Sequence, residues 1–179
     1  MPNRMIRSNE REYIIWQNRA LRFYLGARLL YMNEQYSPAA FCSIQSIEAL
    51  MKATLVYWDK SFNPEAANHK VASMVRSIRN KAKDGKEFKC PEYFYKDKTY
   101  QSISRYPSNG KGVYIPATFK DDLDDVFYRL VSLVPFQFNS DLINTLKGKN
   151  AKNLIILRKN NNQMKNLRKL LKVKLGKKA

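Results

Sequence analysis

The chain has 179 residues, which is enough for one domain with a single hydrophobic core. Its 44% hydrophobic and 27% charged residues are ordinary for a globular protein. No apolar run approaches the roughly 18 to 20 residues of a membrane-spanning helix, and the N-terminus MPNRMIRSNEREY lacks the apolar core of a secretory signal. We therefore expect neither a membrane span nor a secretory signal, and we predict a cytoplasmic location.

The cysteine and histidine content argues against a metal site. Cys42 and Cys90 lie far apart and form no CxxC pair, and His69 is the only histidine in the sequence. Structural zinc sites need about four such ligands, so we expect no metal and no other cofactor. Cys42 lies in an apolar run, which indicates a small buried hydrophobic residue.

The net charge of +18 is unevenly distributed along the chain. From Leu142 to the C-terminus there are twelve Lys or Arg residues and no Asp or Glu. Such a segment attracts polyanions, and its affinity for them should depend steeply on salt. Nucleic acid is the favoured partner. An anionic membrane surface and a purely solubilising tail are the alternatives.

The first two helices are predicted from hydrophobic periodicity. Residues 9–35 read as one long helix, with Ser8 or the next residue as its cap. The second helix begins at YSP, with Ser37 as N-cap and Pro38 as first helical residue, and runs to about Asp59. Its apolar residues point in nearly every direction, which predicts a central helix.

A third helix is predicted to begin at about Pro64 or Asn68 and to run to Lys83, with Gly85 as its stop signal. Residues 86–117 are different, because they contain five tyrosines and recurrent Pro and Gly. A connection of this length in a compact domain is usually functional.

The C-terminal part continues with a helix that runs from a Thr118 cap to Pro135, and with a further helix capped by Asp141. The run NNNQ interrupts the helical pattern, and the last stretch, MKNLRKLLKVKLG, is either an amphipathic basic helix or a tail that only a partner orders. Strand character is confined to three short segments, residues 113–115, 136–138 and 154–157.

Together these elements predict an all-α fold, an antiparallel up-and-down bundle of four to five helices with a basic C-terminal helical extension. We predict two domains that follow the charge distribution. Residues 1–140 would form the bundle and residues 141–179 the extension.

A narrow polar stripe runs along the second helix. Gln45, Glu48 and Lys52 fall within about 60° of one another at 100° per residue, and Glu48 precedes Lys52 by four positions. The stripe is either a thin solvent-facing seam or part of a cleft in which the polar groups are paired. Periodicity leaves both alternatives open, and in the second the partners would come from Arg28, His69, Arg105 or the tyrosines.

His69 has two interpretations. Most histidines in such a position are packed or surface residues, but the side chain titrates near neutral pH and can act as a general acid or base. The sequence contains no Gly-rich phosphate loop, HExxH or GxSxG element. His69 is therefore a catalytic candidate without further support from a motif.

The segment YLGARLLYMNEQYSPAAFCSIQSIEALMKATL resembles the first two helices of HEPN domains. In that family a helix with an Ala-Arg-Leu-Leu-like end leads through a Tyr-containing turn to a helix with the pattern Gln-x-x-Glu-x-x-x-Lys, matched here by Gln45, Glu48 and Lys52. His69 matches a histidine that often opens the third helix. A bacterial branch carries a tyrosine followed shortly by Arg-Tyr-Pro, and the matching residues are Tyr100, Arg105, Tyr106 and Pro107.

The resemblance covers about residues 18–134 and implies a helical bundle that is commonly dimeric. Family members are often encoded beside minimal nucleotidyltransferases, or act as ribonucleases in defence and toxin systems. The ribonuclease branch has an Arg followed by four to six residues and then a His. This chain departs from it, because the positions that would hold the arginine are Phe62, Asn63 and Pro64.

The favoured interpretation is a non-catalytic HEPN-like homodimer that binds nucleic acid or a nucleotide. The alternatives are an interaction subunit of a nucleotidyltransferase or another partner, and a divergent ribonuclease that uses His69. The stripe would face a groove near Arg105, although Glu48, Lys52 and Arg105 could equally form a buried network. The predicted ligand-binding residues are Gln45, Glu48, Lys52, His69, Tyr100, Arg105 and Tyr106, and the predicted nucleic-acid-binding residues are Lys165, Arg168, Lys169, Lys172 and Lys174.

Overall fold

A computed structural model describes residues 8–82, 88–95, 115–134 and 140–176, with the side chains of residues 8–11 and 174–176 excepted. Within these ranges the secondary structure is entirely helical, which confirms the predicted all-α class. One short 3₁₀ turn is present at Glu92–Phe94. The α-helices are α1 (Ser8–Met32), α2 (Tyr36–Trp58), α3 (Val71–Lys81), α4 (Phe119–Leu133), α5 (Asp141–Leu146), α6 (Ala151–Arg158) and α7 (Met164–Gly176).

The turn between α1 and α2 is tighter than the sequence predicts. The backbone N–H of Ala39 donates to the carbonyl of Gln35 (3.0 Å), so Tyr36 is already the first helical residue. Ser37 therefore lies inside the first turn, and its prediction as N-cap was wrong. Glu34 has a φ of +60°, which lets the chain reverse within three residues.

Helix α2 is central, as its apolar sequence predicts. It packs most extensively against α1 and also contacts α3 and α4. The Ser46 hydroxyl donates to the Ala20 carbonyl of α1 (2.9 Å). Among the described residues, α2 is the one helix that is long and apolar enough to suit a membrane span, with a mean hydropathy of 1.2 over a window of 18 residues. However, 89% of that 18-residue window is buried inside the protein. Core helices of bundles have this character.

Helix α3 begins later than predicted because a loop precedes it. The side-chain oxygen of Asn63 accepts hydrogen bonds from the backbone N–H groups of Glu65 (2.9 Å) and Ala66 (3.0 Å), and residues 64–69 form turns. His69 consequently lies in the loop, two residues before the first helical residue. The predicted stop signal, Gly85, lies outside the described residues.

Of two further predicted caps, Thr118 has the predicted N-cap position without the capping hydrogen bond, and Asp141 was wrong. The Thr118 hydroxyl donates to Asp122 (2.8 Å) and does not cap the backbone of α4. Ser140, rather than Asp141, caps α5 by accepting from the backbone N–H of Ile143. The strand candidate at residues 154–157 lies within α6, while the other two candidates fall mainly outside the described residues.

The basic C-terminal segment is folded against the bundle. The predicted break at residues 160–163 is confirmed, since α6 ends at Arg158 and α7 begins at Met164. A tail ordered only by a partner therefore does not describe α5 to α7. The division at residue 140 stays a prediction about folding units, and the hydrophobic core itself crosses it. The core residues beyond that point are Leu142, Ile143, Leu146, Leu157, Met164, Leu167 and Leu171.

Candidate functional site

The polar stripe of α2 is buried and paired. The Lys52 ammonium lies 2.9 Å from a Glu48 carboxylate oxygen, and each side chain is only 6% exposed. The second Glu48 oxygen lies 2.9 Å from Nδ1 of His69. These three residues form what we call the open cluster. The solvent-facing seam considered above is therefore wrong, and His69 is the partner that the alternative required.

Packing explains why the Lys52 ammonium is held at this depth. It lies 4.8 Å from the centroid of the Trp16 ring on α1, within the range of a cation–π interaction. The aromatic face and the Glu48 carboxylate together replace the water that the ammonium loses on burial. Lys52 thus stabilises the buried Glu48 carboxylate and also packs against α1 through Trp16.

His69 is the exposed member of the open cluster. Its side chain retains 48% of its accessible surface, because the loop before α3 places it at the edge of the protein. With Nδ1 facing a carboxylate, the neutral ring carries its proton on Nδ1 and leaves the Nε2 lone pair available. This arrangement orients an imidazole toward an external proton donor or a ligand.

The other predicted ligand-binding residues have no described contact with this cluster. Gln45 is buried one turn before Glu48 but makes no hydrogen bond to the cluster. Tyr100, Arg105 and Tyr106 lie outside the described residues. Their proximity to Glu48 stays a prediction.

A second polar cluster, which the sequence did not reveal, joins α1, α4 and the turn between α6 and α7. Arg28 of α1 donates from Nη1 to both carboxylate oxygens of Asp124 of α4, and both side chains are fully buried. The Tyr24 hydroxyl donates to the same carboxylate (2.6 Å), and the side-chain amide of Asn161 donates to Tyr24 (3.0 Å). We call these four residues the closed cluster.

Burial and the negative charge of Asp124 raise the pKa of Tyr24 well above its ordinary value. The hydroxyl therefore keeps its proton and remains the donor. Arg28, which stays cationic in proteins, also donates from Nε to the Ile156 carbonyl (3.3 Å) and from Nη2 to the Lys159 carbonyl. Those carbonyls lie at the C-terminal end of α6, so Arg28 serves as its cap.

The sequence offers one signal for the closed cluster. Asp124 shares a helix face with Phe127 and Val131, at spacings of three and seven residues, so it sits among core residues. Its position near the start of α4 suggested only a favourable interaction with the helix dipole. The pairing with Arg28 joins residues 96 positions apart and needs the tertiary structure.

A family model with the description HEPN domain matches residues 13–126 of this chain. This chain belongs to the HEPN family. The match confirms the resemblance drawn from the first two helices, and it contains the open cluster together with Tyr24, Arg28 and Asp124. The assignment to a bacterial branch stays a prediction. No curated protein and no solved structure matches the chain with significance.

The excess of positive charge in this HEPN chain is largest in the segment that follows the match, which has twelve basic and no acidic residues from Leu142 to the C-terminus. Helix α7 buries Met164, Leu167 and Leu171 against the core. The four exposed cations of α7 whose side chains are described lie within an arc of about 100° that does not overlap this apolar side, given 100° per residue. We call this arc the α7 cationic face. It consists of Lys165, Arg168, Lys169 and Lys172.

Five further exposed cations lie between α5 and the α6–α7 turn, and none of the nine has a carboxylate within 4.0 Å among the described residues. The Lys174 side chain lies outside the described set. The other five cations are Lys147, Lys149, Lys152, Arg158 and Lys159.

The α6–α7 turn that leads into the cationic face is fastened to the HEPN bundle. Besides the Arg28 contacts, the Lys120 ammonium donates to the carbonyl of Asn160 (2.7 Å), and the side-chain amide of Gln163 donates to Asp125. The turn is thus held by α1 and by α4. The orientation of α7 is set by these contacts as well as by its apolar side.

One shallow groove of about 600 Å³ lies on the outer side of α1, lined by Asn18, Arg19, Arg22 and two apolar neighbours. The Asn18 side chain accepts from the backbone of Asp141 (2.8 Å), and Arg22 pairs with its carboxylate (3.7 Å). Within the described ranges no group of three or more His, Cys, Asp or Glu side chains is placed to hold a metal ion.

Proposed function

We propose that this HEPN protein binds nucleic acid through the α7 cationic face. The carrying observation is that four exposed cations share one side of a helix whose other side is anchored in the core. No acidic residue occurs from Leu142 to the C-terminus. The charge is therefore free to meet an external polyanion rather than a carboxylate of the same segment.

Phosphate is the ligand that suits this arrangement. Lysine ammonium and arginine guanidinium groups neutralise phosphates and release condensed counterions, which drives association without reading the bases. The contacts of Arg28, Lys120 and Gln163 hold the α6–α7 turn in place, so part of the ordering cost is met before binding. This favours a preformed surface.

The test uses charge-removing variants of the full chain. Deletion of residues 147–179 would remove core residues such as Leu157 and Leu167, so loss of binding could then reflect unfolding. The triple variant Lys165→Gln, Lys169→Gln, Lys172→Gln keeps the core. Its matched control removes the same charge elsewhere, with Lys60→Gln, Lys70→Gln and Arg76→Gln, which are exposed in the α2–α3 loop and on α3.

Binding of a fluorescent 20-base-pair DNA is followed by anisotropy across a salt series. For three lost phosphate contacts we expect the slope of log K against log salt to fall by about 2 to 3, and the affinity near 0.1 M salt to fall on the order of a hundredfold. The control variant should stay within a few-fold of wild type. Equal losses in the two variants would refute the α7 site.

A second candidate function, RNA cleavage at His69, is supported by the Glu48 contact to Nδ1. A carboxylate that orients an imidazole is the arrangement expected of a general base. The arginine of the ribonuclease branch is missing from this chain, as noted above. If labelled RNA is cut by wild type, His69→Ala should abolish the cutting while Lys70→Ala should not, and cleavage that survives His69→Ala would eliminate this candidate.

The open cluster, with Gln45, Tyr100, Arg105 and Tyr106, is our proposal for a nucleotide-binding groove. Homodimerisation, a nucleotidyltransferase partner, a role in defence or toxin systems and a cytoplasmic location rest on the family resemblance and on composition. Sedimentation velocity of the purified chain addresses the dimer. A single monomeric species at tens of micromolar would refute it.

A further inference from the structure

We infer that the α7 cationic face selects double-stranded over single-stranded nucleic acid and reads its phosphate backbones. This inference rests on the proposed nucleic-acid binding and adds the class of ligand. It follows from two features of residues 140–176, namely the positive charge of the exposed side chains and the absence of aromatic rings among them.

Aromatic side chains are missing from this part of the chain. The last aromatic residue in the sequence is Phe138, so the segment from α5 to the C-terminus contains no Phe, Tyr or Trp. Proteins that hold single strands rely on aromatic side chains on which successive bases stack, each stack contributing about 1–3 kcal/mol. The large exposed apolar residues here are Ile155 (67%) and Val173 (52%), which offer no ring.

The cations are arranged for a dense array of phosphates. Lys165 and Lys172 are seven residues apart, which corresponds to about 10 Å along the helix axis. Arg168 and Lys169 lie between them on the same face. A duplex presents one charge per about 1.7 Å of its axis from two strands, so a rigid ridge of this length meets several phosphates at once. A single strand offers about half that density.

Counterion release gives the size of the preference. The salt exponent is about 0.9 per phosphate contact for a duplex and about 0.7 for a single strand. If both ligands bind equally near 1 M salt, four contacts favour the duplex about sixfold at 0.1 M, and nine contacts favour it about sixtyfold. The first figure corresponds to the four cations of the α7 face, and the second to the nine exposed cations of the segment whose side chains are described.

Exposed aromatic residues do occur elsewhere in the described structure. Tyr36 and Tyr57 lie at opposite ends of α2 and are each more than two-fifths exposed. They belong to the bundle and not to the α7 face. A single strand that bound there would be insensitive to the three α7 lysines, which separates the two binding modes experimentally.

The experiment is a competition assay on the full chain. A labelled 20-base-pair DNA is displaced at 0.1 M salt by unlabelled DNA duplex, RNA duplex, dT20 or U20 at equal nucleotide concentration. We expect each duplex to compete at least about fivefold better than the corresponding single strand. The DNA and RNA arms show which duplex is the better ligand. Equal or better competition by dT20 or U20 would overturn the inference and leave nucleic-acid binding intact.

Absence of binding to every probe would instead refute the proposed function. A gain-of-ring variant tests the cause, because Val173→Trp places an aromatic side chain beside the cationic face without changing its charge. We expect single-strand affinity to rise about fivefold or more, with little change for the duplex. An unchanged single-strand affinity would overturn the argument from missing aromatic residues. Lys165→Gln with Lys169→Gln and Lys172→Gln should reduce the duplex preference.

Discussion

The closed and open clusters each place a carboxylate beside a cation inside one helical bundle, but only one of them reaches solvent. Arg28 and Asp124 have no exposed surface, and each of the three guanidinium nitrogens donates to a carboxylate or a backbone carbonyl. Glu48 and Lys52 are almost as deep, yet Glu48 also holds His69, which is half exposed. A carboxylate–cation pair thus connects helices in the closed cluster, whereas in the open cluster it also orients an exposed histidine.

The difference teaches how burial separates structure from function. A buried ion pair whose groups are all satisfied stabilises one arrangement of helices and has no free group to offer. An ion pair whose carboxylate also contacts an exposed residue can hold the side chain of that residue in one orientation. The closed cluster should therefore control stability, and the open cluster should control the geometry of His69.

The largest effect is expected when the closed cluster is broken. Asp124→Asn leaves the Arg28 charge buried without an anionic partner, which should lower the free energy of unfolding by about 3–5 kcal/mol. Urea unfolding followed by circular dichroism measures it. Asp121, an exposed residue that pairs with Lys120, is the control, and Asp121→Asn should cost less than about 1 kcal/mol.

The double variant Arg28→Met with Asp124→Leu should recover only part of that loss, because it removes both charges but also takes the Arg28 donors from the Ile156 and Lys159 carbonyls and the acceptor from the Tyr24 hydroxyl. If Asp124→Asn lowers the free energy of unfolding by less than about 1 kcal/mol, the closed cluster does not stabilise the packing of the helices. The contacts of Lys120 and Gln163 would then be the main ones that hold the α6–α7 turn in place.

Breaking the open cluster should cost less. Glu48→Gln removes the charge that pairs with Lys52, but the Lys52 ammonium keeps its contact with the Trp16 ring and is not fully buried, so we expect a loss of about 1–3 kcal/mol in the same unfolding assay. Glu65, an exposed residue of the α2–α3 loop, provides the control as Glu65→Gln, which should stay within about 0.5 kcal/mol of wild type. Equal effects for Glu48 and Asp124 would erase the distinction between the clusters.

The proton of Tyr24 gives a pH test of the closed cluster. Because the pKa of Tyr24 is raised in the folded protein, the unfolded chain releases this proton first, near the ordinary tyrosine value of about 10. Its contribution to stability is full below that pH and is lost as the pH rises, by about 1.4 kcal/mol per pH unit.

The stability difference between wild type and Tyr24→Phe should therefore shrink by about 1 kcal/mol between pH 10 and 11, measured by urea unfolding at each pH. The difference should be constant between pH 6 and 8. A difference that stays constant up to pH 11 would show that the hydroxyl is not shielded in the way the closed cluster requires.

The smallest effect on stability is expected at the exposed end of the open cluster. His69→Ala removes a half-exposed partner of Glu48, and such surface contacts contribute less than about 1 kcal/mol. Its effect should appear instead in the environment of Trp16, which packs on Lys52, as a change in tryptophan fluorescence. A loss above about 2 kcal/mol would place His69 among the structural residues.

Local patterns predicted the helices better than their ends. The apolar residues on all sides of the second helix correctly predicted the central element, and the run at residues 160–163 correctly predicted the break before α7. The caps at Ser37 and Asp141 were wrong, because Gln35 and Ser140 take the cap positions. Thr118 does precede α4 as predicted, but its hydroxyl donates to Asp122 and does not cap the backbone. Cap preferences are worth about 1 kcal/mol and yield to packing.

The sequence predicted which residues form the open cluster, but it did not predict that Glu48 and Lys52 are buried. The spacing of Glu48 and Lys52 indicated an ion pair, and His69 was among the partners considered, yet periodicity left a seam and a cleft open. The Trp16 ring and the loop at residues 64–69 decide between them, and both come from outside α2. The closed cluster was missed because Arg28 and Asp124 are remote in sequence.

By itself, the sequence determined an all-helical HEPN chain with its positive charge concentrated after residue 141, because helical periodicity and charge content are local properties. Only the tertiary structure decided that the basic helices pack on the bundle, and that one carboxylate is sealed while another holds a histidine at the surface. Those outcomes depend on which distant side chains share a low-dielectric space, and that is set by the packing of whole helices.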